Sequence, residues 1–128
     1  MSTEELVRLD IPALPAFVGV ARSVVATVAT SIEGLDDERL DDLRLAVSEA
    51  CTNAVDGRGE GDHRVVLRCV VDDDYLEVII EDASDGFSAE AIAERGWGIQ
   101  LITALVDDVA FSREAGGTAV TLRMNFAP

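Results

Sequence analysis

The chain contains no lysine, because all 10 of its basic residues are arginine. A P-loop, or a kinase that combines a glycine-rich loop with a strand lysine, needs a lysine to bind phosphate, so both classes are excluded. Cysteine is scarce as well. Cys51 and Cys69 lack CxxC spacing and lie in apolar-patterned segments. This pattern predicts two buried free thiols rather than a disulfide or a metal site.

Long apolar runs are missing too. No stretch reaches the roughly 18 apolar residues of a membrane span, and residues 1–5 lack the basic and apolar regions of a signal peptide. The 25 acids against 10 bases give a net charge of −15, which disfavours nucleic acid and anionic membranes as partners. We therefore expect a cytoplasmic protein. The charge suits a basic protein partner, although solubility alone also explains it.

With 128 residues, 48 % of them hydrophobic, residues 1–128 are expected to form one domain with a packed core. The predicted element order is β-α-α-β-β-loop-α-β-β. The strands are expected at 6–11, 64–71, 75–81, 108–113 and 118–125, and the helices at about 16–32, 36–54 and 99–106. This order predicts an α+β two-layer sandwich, with helices on one face of a mixed, mainly antiparallel sheet. A doubly wound parallel sheet would need regular βαβ alternation, which is absent.

An acid and a carboxamide lie four residues apart in the second predicted helix. Glu49 and Asn53 therefore point the same way, at one edge of the apolar arc. A carboxylate can orient or deprotonate a hydroxyl group, and a carboxamide oxygen can ligate a hard cation such as Mg²⁺. This pair suits phosphoryl transfer.

Two further segments could bind a nucleotide. Gly96 and Gly98 precede a helix whose first N–H groups could face an anion, although such a glycine pair is more often a simple turn. Asp82 ends a predicted strand and is followed by Gly86. An acid there can accept a hydrogen bond from a purine amino group, although a strand-ending Asx turn is equally common.

Taken in this order, the three segments resemble the Bergerat ATP-binding fold of the GHKL and histidine-kinase-like ATPases. The segments LAVSEACTNAV (45–55) and GWGIQLITALVDDVAF (96–111) are similar to the corresponding sequences of the anti-sigma-factor serine kinases. The resemblance extends from about Leu6 to Phe126. It implies that Asn53 ligates the Mg²⁺ of Mg-ATP and that Glu49 activates the attacking serine hydroxyl. It also implies that Asp82 bonds the adenine amino group and that Gly86 lets the loop pack close to the ring.

The same resemblance implies that Gly96 and Gly98 hinge a lid and cradle phosphates. Such kinases phosphorylate a serine on a small anti-anti-sigma (STAS) domain and otherwise hold a sigma factor inactive. Members of the family commonly form homodimers, and apolar residues near the first helix could contribute to a dimer or partner surface. Packing in the core explains those residues equally well.

The chain departs from the family at the adenine loop, where Ser84 replaces the first glycine of D-x-G-x-G, and its lid is short. Two functions therefore remain open: a working serine kinase, or a sigma-regulatory binding module of the same fold with weak or no nucleotide turnover. A third and more distant interpretation is the detached ATP-binding domain of a histidine kinase. His63 lies in a polar loop and is expected to be solvated rather than a phosphoacceptor.

Overall fold

The computed structural model describes residues 3–56, 63–82, 96–114 and 117–126. The described strands are β1 (Glu4–Pro12), β2 (Arg64–Val71), β3 (Tyr75–Asp82), β4 (Asp108–Glu114) and β5 (Gly117–Asn125). The described helices are a 3-10 turn (Pro15–Phe17), α1 (Val18–Thr30), α2 (Asp37–Asp56) and α3 (Gly96–Leu105). The predicted order of elements is confirmed.

The strands form one sheet in the order β1-β2-β3-β5-β4. Each pairing between described strands is antiparallel. The antiparallel majority that the sequence predicted is therefore confirmed, but no described pair is parallel. The reason is that β2 separates β1 from β3, and β5 separates β3 from β4, so that strands of the same direction are never neighbours among those described.

The core lies between one face of the sheet and the helices. Alternate residues of β2, β3 and β5 are buried, as the period of two in a half-buried strand requires. The helices bury small and branched side chains against this face. Residues with no exposed surface on the two sides are Ala21, Val25, Leu43, Ala46, Val47, Ala50, Ala54, Val65, Leu67, Cys69, Leu76, Val78, Ile80, Ile102, Val120 and Leu122. The predicted two-layer sandwich is confirmed.

The ends of two helices differ from the prediction by a few residues. The segment expected to open the first helix near Ala16 forms the 3-10 turn, because Pro15 occupies its first position, and α1 begins at Val18. α3 begins at Gly96 rather than at Ile99. The glycine pair is therefore part of the first turn of the helix and not a loop that precedes it.

Candidate functional site

Glu49 and Asn53 lie on α2, where the sequence placed them. Asp36 caps this helix, because its Oδ1 accepts the backbone N–H of Arg39 at 2.9 Å. Acids at Asp37 and Glu38 favour the first turn. Glu49 is partly exposed, whereas Asn53 is only 5 % exposed. Asn53 thus lies deeper than the edge position that its helical angle predicted. Glu49 lies nearer the solvent than Asn53.

The amide nitrogen of Asn53 is a buried donor on this helix face. This atom, Nδ2, has no hydrogen-bond partner among the residues that the structure describes. A buried amide without a partner costs about 1–3 kcal/mol, so such groups call for an explanation. The unpartnered atom is a donor, so an acceptor such as a phosphate or water oxygen at this point would remove the cost. The oxygen of the same amide can ligate a hard cation. The position fits an Mg²⁺ ligand.

Asp82 and Thr118 form a second polar pair. Asp82 is the last residue of β3 and is 3 % exposed, and Thr118 lies directly opposite it on β5 and is 5 % exposed. The Oγ1 of Thr118 is buried and has no hydrogen-bond partner among the described residues. Two polar side chains thus meet at one sheet end, where a small polar ring edge could bond to both.

Thr118 was not among the candidate residues that the sequence indicated. It is 36 positions after Asp82 in the chain, with a helix and a strand between them. Threonine is common in half-buried strands, so its residue type alone did not indicate a functional role. Only the pairing of β3 with β5 brings it to Asp82.

α3 runs antiparallel to α2. Asp107, just beyond the end of α3, contacts Arg39 in the first turn of α2, and the two helices pack along each other. The start of α3 at Gly96 therefore points toward the end of α2, where Asn53 lies. Helix N-termini attract anions, because their first N–H groups have no partner within the helix.

These features converge at one end of the sandwich. α2 ends at Asp56 and the chain re-enters the sheet at Arg64, next to Val65, which pairs with Asp82. Asn53, the Asp82–Thr118 pair and the first turn of α3 are therefore on the same side of the molecule. Gly86 and Ser84, by contrast, lie outside the described residues, so their predicted roles are untested.

Cys51 lies between Glu49 and Asn53 in the sequence, but it is not a candidate nucleophile. Both cysteines are free and buried, which confirms the prediction. Burial raises the pKa of the Cys51 thiol to about 12 and that of Cys69 to about 11. The thiols are therefore protonated at neutral pH, and a protonated thiol is neither a good nucleophile nor a metal ligand.

The described part of the chain holds no group of three or more His, Cys, Asp or Glu side chains that could hold a metal ion. Its helices are all too short or too polar to span a membrane. A shallow groove of about 520 Å³ follows one face of α1, lined by Ala16, Gly19, Val20, Ser23, Val24 and Thr27. It is lined by α1 and the turn before it, not by the residues of the candidate site.

Comparison with known proteins matches this architecture. The family model of the histidine kinase-like ATPase domain matches residues 11–124. A serine-protein kinase RsbW of Bacillus pumilus is 34 % identical, over 96 % of this chain and 88 % of the relative. That of Bacillus subtilis is 32 % identical, over 94 % and 87 %. That of Listeria monocytogenes is 31 % identical, over 89 % and 83 %.

Proposed function

The chain belongs to the histidine kinase-like ATPase domains and is a homologue of the RsbW serine-protein kinases, and from this premise we propose that it is an anti-sigma regulatory factor with kinase activity. It binds Mg-ATP and phosphorylates a serine on an anti-anti-sigma (STAS) partner. When it is not engaged in this way, it sequesters a sigma factor. Residues 1–128 act as one nucleotide-binding domain.

The observation that carries the proposal is the buried amide nitrogen of Asn53, which has no hydrogen-bond partner within the described ranges and lies one helical turn after Glu49. A fold that needed this residue only for stability would gain from an apolar side chain of similar size. A carboxamide on the side of the sandwich where α3 begins could instead hold the Mg²⁺ of Mg-ATP through its oxygen. When bound, ATP would supply the phosphoryl group and Mg²⁺ would offset the negative charge of the phosphates.

The remaining candidate residues bind different parts of the nucleotide. Asp82 and Thr118 hold the adenine edge, since they are the buried polar pair at the end of β3. The first N–H groups of α3, at Gly96 and Gly98, bind phosphate oxygens. Gly86 belongs to the adenine loop by its place in the sequence. Asp82, Thr118 and the first turn of α3 are each part of a strand end or helix end, so binding there requires little rearrangement of the described core.

Glu49 orients the serine hydroxyl of the partner and accepts its proton. It is partly exposed, so a substrate hydroxyl can reach it from solvent, and it lies beside the metal-binding asparagine. A general base must lie within hydrogen-bond reach of the proton that it removes. A residue four positions from Asn53 on the same helix meets this requirement when the γ-phosphate lies at the metal.

The protein partners follow from the homology and from charge. A net charge of −15 favours a partner with a basic surface. Leu14 and Val20 are 47 % and 43 % exposed at the start of α1. We propose that this region is the contact surface for a second copy of the chain or for a protein partner.

A second candidate function is a sigma-regulatory module that binds without catalysis. It is favoured by the sequence Asp82-Ala83-Ser84-Asp85-Gly86, which has a serine in place of the first glycine of the family's adenine loop. A side chain at a position that needs a positive φ or close ligand approach costs about 1 kcal/mol. Such a loop weakens nucleotide binding but leaves the protein-binding surfaces unchanged.

Phosphate transfer from γ-labelled ATP to purified anti-anti-sigma domains distinguishes the two functions. The kinase proposal predicts Mg²⁺-dependent labelling of a serine on one of these domains. Binding of a sigma factor without labelling of any anti-anti-sigma domain that the chain also binds would favour the non-catalytic module.

A further inference from the structure

Arg39 joins three elements of the fold at one point. Its Nη2 forms an ion pair with Asp107, just beyond α3, and also donates to the carbonyl oxygen of Asn125 on β5 at 3.0 Å. The Asp107 carboxylate accepts the backbone N–H of Asn125 at 2.7 Å. We call Arg39, Asp107 and Asn125 the α3 clamp.

The clamp lies at the opposite end of the α2–α3 pair from the candidate site. Arg39, Ala46 and Asn53 recur at intervals of seven residues, so they lie within about 40° of one another on α2. Arg39 reaches the end of α3, and Ala46 is fully buried. A small residue at this point lets the two helices approach closely. These three residues thus form a row along α2 that begins at the clamp and ends at Asn53, the proposed Mg²⁺ ligand.

One face of α3 packs on the core, where Ile102 is buried, whereas Gln100, Thr103 and Ala104 are exposed. The clamp adds a polar contact just beyond the end of this helix. From Asp107 back to Gly96 the helix is about 16 Å long. A tilt of about 10° around the clamp would therefore move the first turn of α3 by about 3 Å, the length of a whole hydrogen bond.

We propose that Arg39 is a positioning residue that sets the angle of α3 through Asp107 and so places the amides of its first turn beside Asn53. This inference rests on the proposed function, since it assigns those amides to the phosphates. It does not require that the clamp contribute much stability. The two side chains are 36 % and 32 % exposed, and ion pairs of this exposure contribute little to folding because solvent screens them.

Isothermal titration calorimetry with adenosine and with Mg-ATP tests the proposal. Arg39→Met should weaken Mg-ATP binding at least about 10-fold, because displaced N–H groups in the first turn of α3 would form weaker hydrogen bonds to the phosphates. Adenosine affinity should not change, because Asp82 and Thr118 lie on the sheet. Arg44→Met is the matched control. It removes the same charge from α2, but across the described ranges Arg44 forms its ion pair within the helix, with Asp41 at 3.6 Å.

Further variants separate a positioning role from a structural one. Asp107→Asn retains an oxygen for the Asn125 amide and should reproduce the selective loss of Mg-ATP affinity. The double variant Arg39→Met/Asp107→Asn should lose no more than either single change, since both remove one interaction. Arg39→Lys keeps the ion pair and should recover part of the affinity. If Arg39→Met fails to fold, Asp107→Asn and Arg39→Lys still provide the comparison.

The outcomes are distinct for each claim. Wild-type protein that binds neither adenosine nor Mg-ATP overturns the proposed function and the positioning role with it. Wild-type binding with an unchanged ratio of the two affinities in Arg39→Met overturns the positioning role alone. Equal losses for both ligands, or the same loss in Arg44→Met, would show a general structural or charge effect and also overturn it.

Discussion

Asp82 and Thr118 face each other across β3 and β5, and both are almost fully buried. The Oγ1 of Thr118 has no hydrogen-bond partner among the described residues. A buried hydroxyl left in this state lowers stability unless something else requires it. Its position opposite the proposed adenine-binding acid indicates that the ligand supplies the missing bond.

Thr118→Val tests this assignment. Valine has nearly the same shape, so the variant should fold with equal or greater stability while its affinity for adenosine falls about 5- to 10-fold, the value of one hydrogen bond. Thr121→Val is the control, because Thr121 lies on the same strand but outside the buried face. Adenosine titration together with urea denaturation measures both effects. Unchanged adenosine affinity in Thr118→Val would remove this residue from the site.

Glu49→Gln should retain nucleotide affinity but slow phosphate transfer at least about 100-fold, the usual contribution of a general base. Glu38→Gln is a suitable control. It removes the same charge from an exposed position three turns earlier on the same side of α2. Single-turnover transfer from γ-labelled ATP to the anti-anti-sigma partner measures the rate. Equal turnover in Glu49→Gln and wild type would contradict the catalytic role.

Gly34→Ala should destabilise the fold by about 2 kcal/mol, because Gly34 has a φ of 102° and an added Cβ would lie 2.7 Å from the carbonyl oxygen of Phe126. Gly19→Ala provides the opposite case. Its Cβ would meet only the Nη2 of Arg22, at 3.7 Å, within helix α1. The helical substitution should stabilise by about 0.5–1 kcal/mol. Urea midpoints of the two variants should therefore move in opposite directions, and a shared direction would contradict this account.

The stability of the protein should fall above about pH 9 because of Cys51. Burial raises the pKa of its thiol from 9.0 to about 12. A group whose folded pKa is raised contributes its full stability below the unfolded pKa and loses it as the pH rises toward the folded value. Between pH 7 and pH 10 this residue should account for a loss of about 1 kcal/mol.

Comparison of wild type with Cys51→Ala isolates that contribution. Urea denaturation at pH 7 and pH 10 should show a smaller loss in the variant, whereas Thr52→Ala, a neighbour without a titrating group, should behave like wild type. Parallel losses in Cys51→Ala and wild type would mean that the thiol ionises as easily in the folded state as in the unfolded one.

The sequence predicted the parts of this fold that local physics determines. The β2–β3 hairpin and the α2 helix follow from periodicity and from acids at the start of the helix, and the structure matches them to within a few residues. The pairing of Glu49 with Asn53 was also predictable, because residues four apart on a helix share one side.

Contacts between distant segments were not predictable in this way. Arg39 and Asp107 are 68 residues apart, and each has the ordinary residue type of an exposed helix or turn. Asp82 and Thr118 meet only because β5 pairs with β3 as well as with β4, its neighbour in the sequence. Register between remote strands depends on the whole sheet, which no single window of sequence contains.

The measurement that tests the central claim most directly is calorimetric titration with ATP, with and without Mg²⁺, on the wild type, Asn53→Ala and Ser48→Ala. Ser48 is the matched control because its Oγ is also buried without a partner among the described residues, but it lies about 140° away around α2. Each variant removes one unsatisfied polar group, so both should remain folded.

We expect wild type and Ser48→Ala to bind ATP at least about 10-fold more tightly when Mg²⁺ is present, because in the proposed site the Asn53 oxygen would ligate the Mg²⁺ of Mg-ATP. Asn53→Ala should lose this dependence on Mg²⁺ and should show no phosphate transfer. If Asn53→Ala binds Mg-ATP as tightly as wild type and transfers phosphate at the same rate, Asn53 does not hold the metal, and the proposed site is wrong.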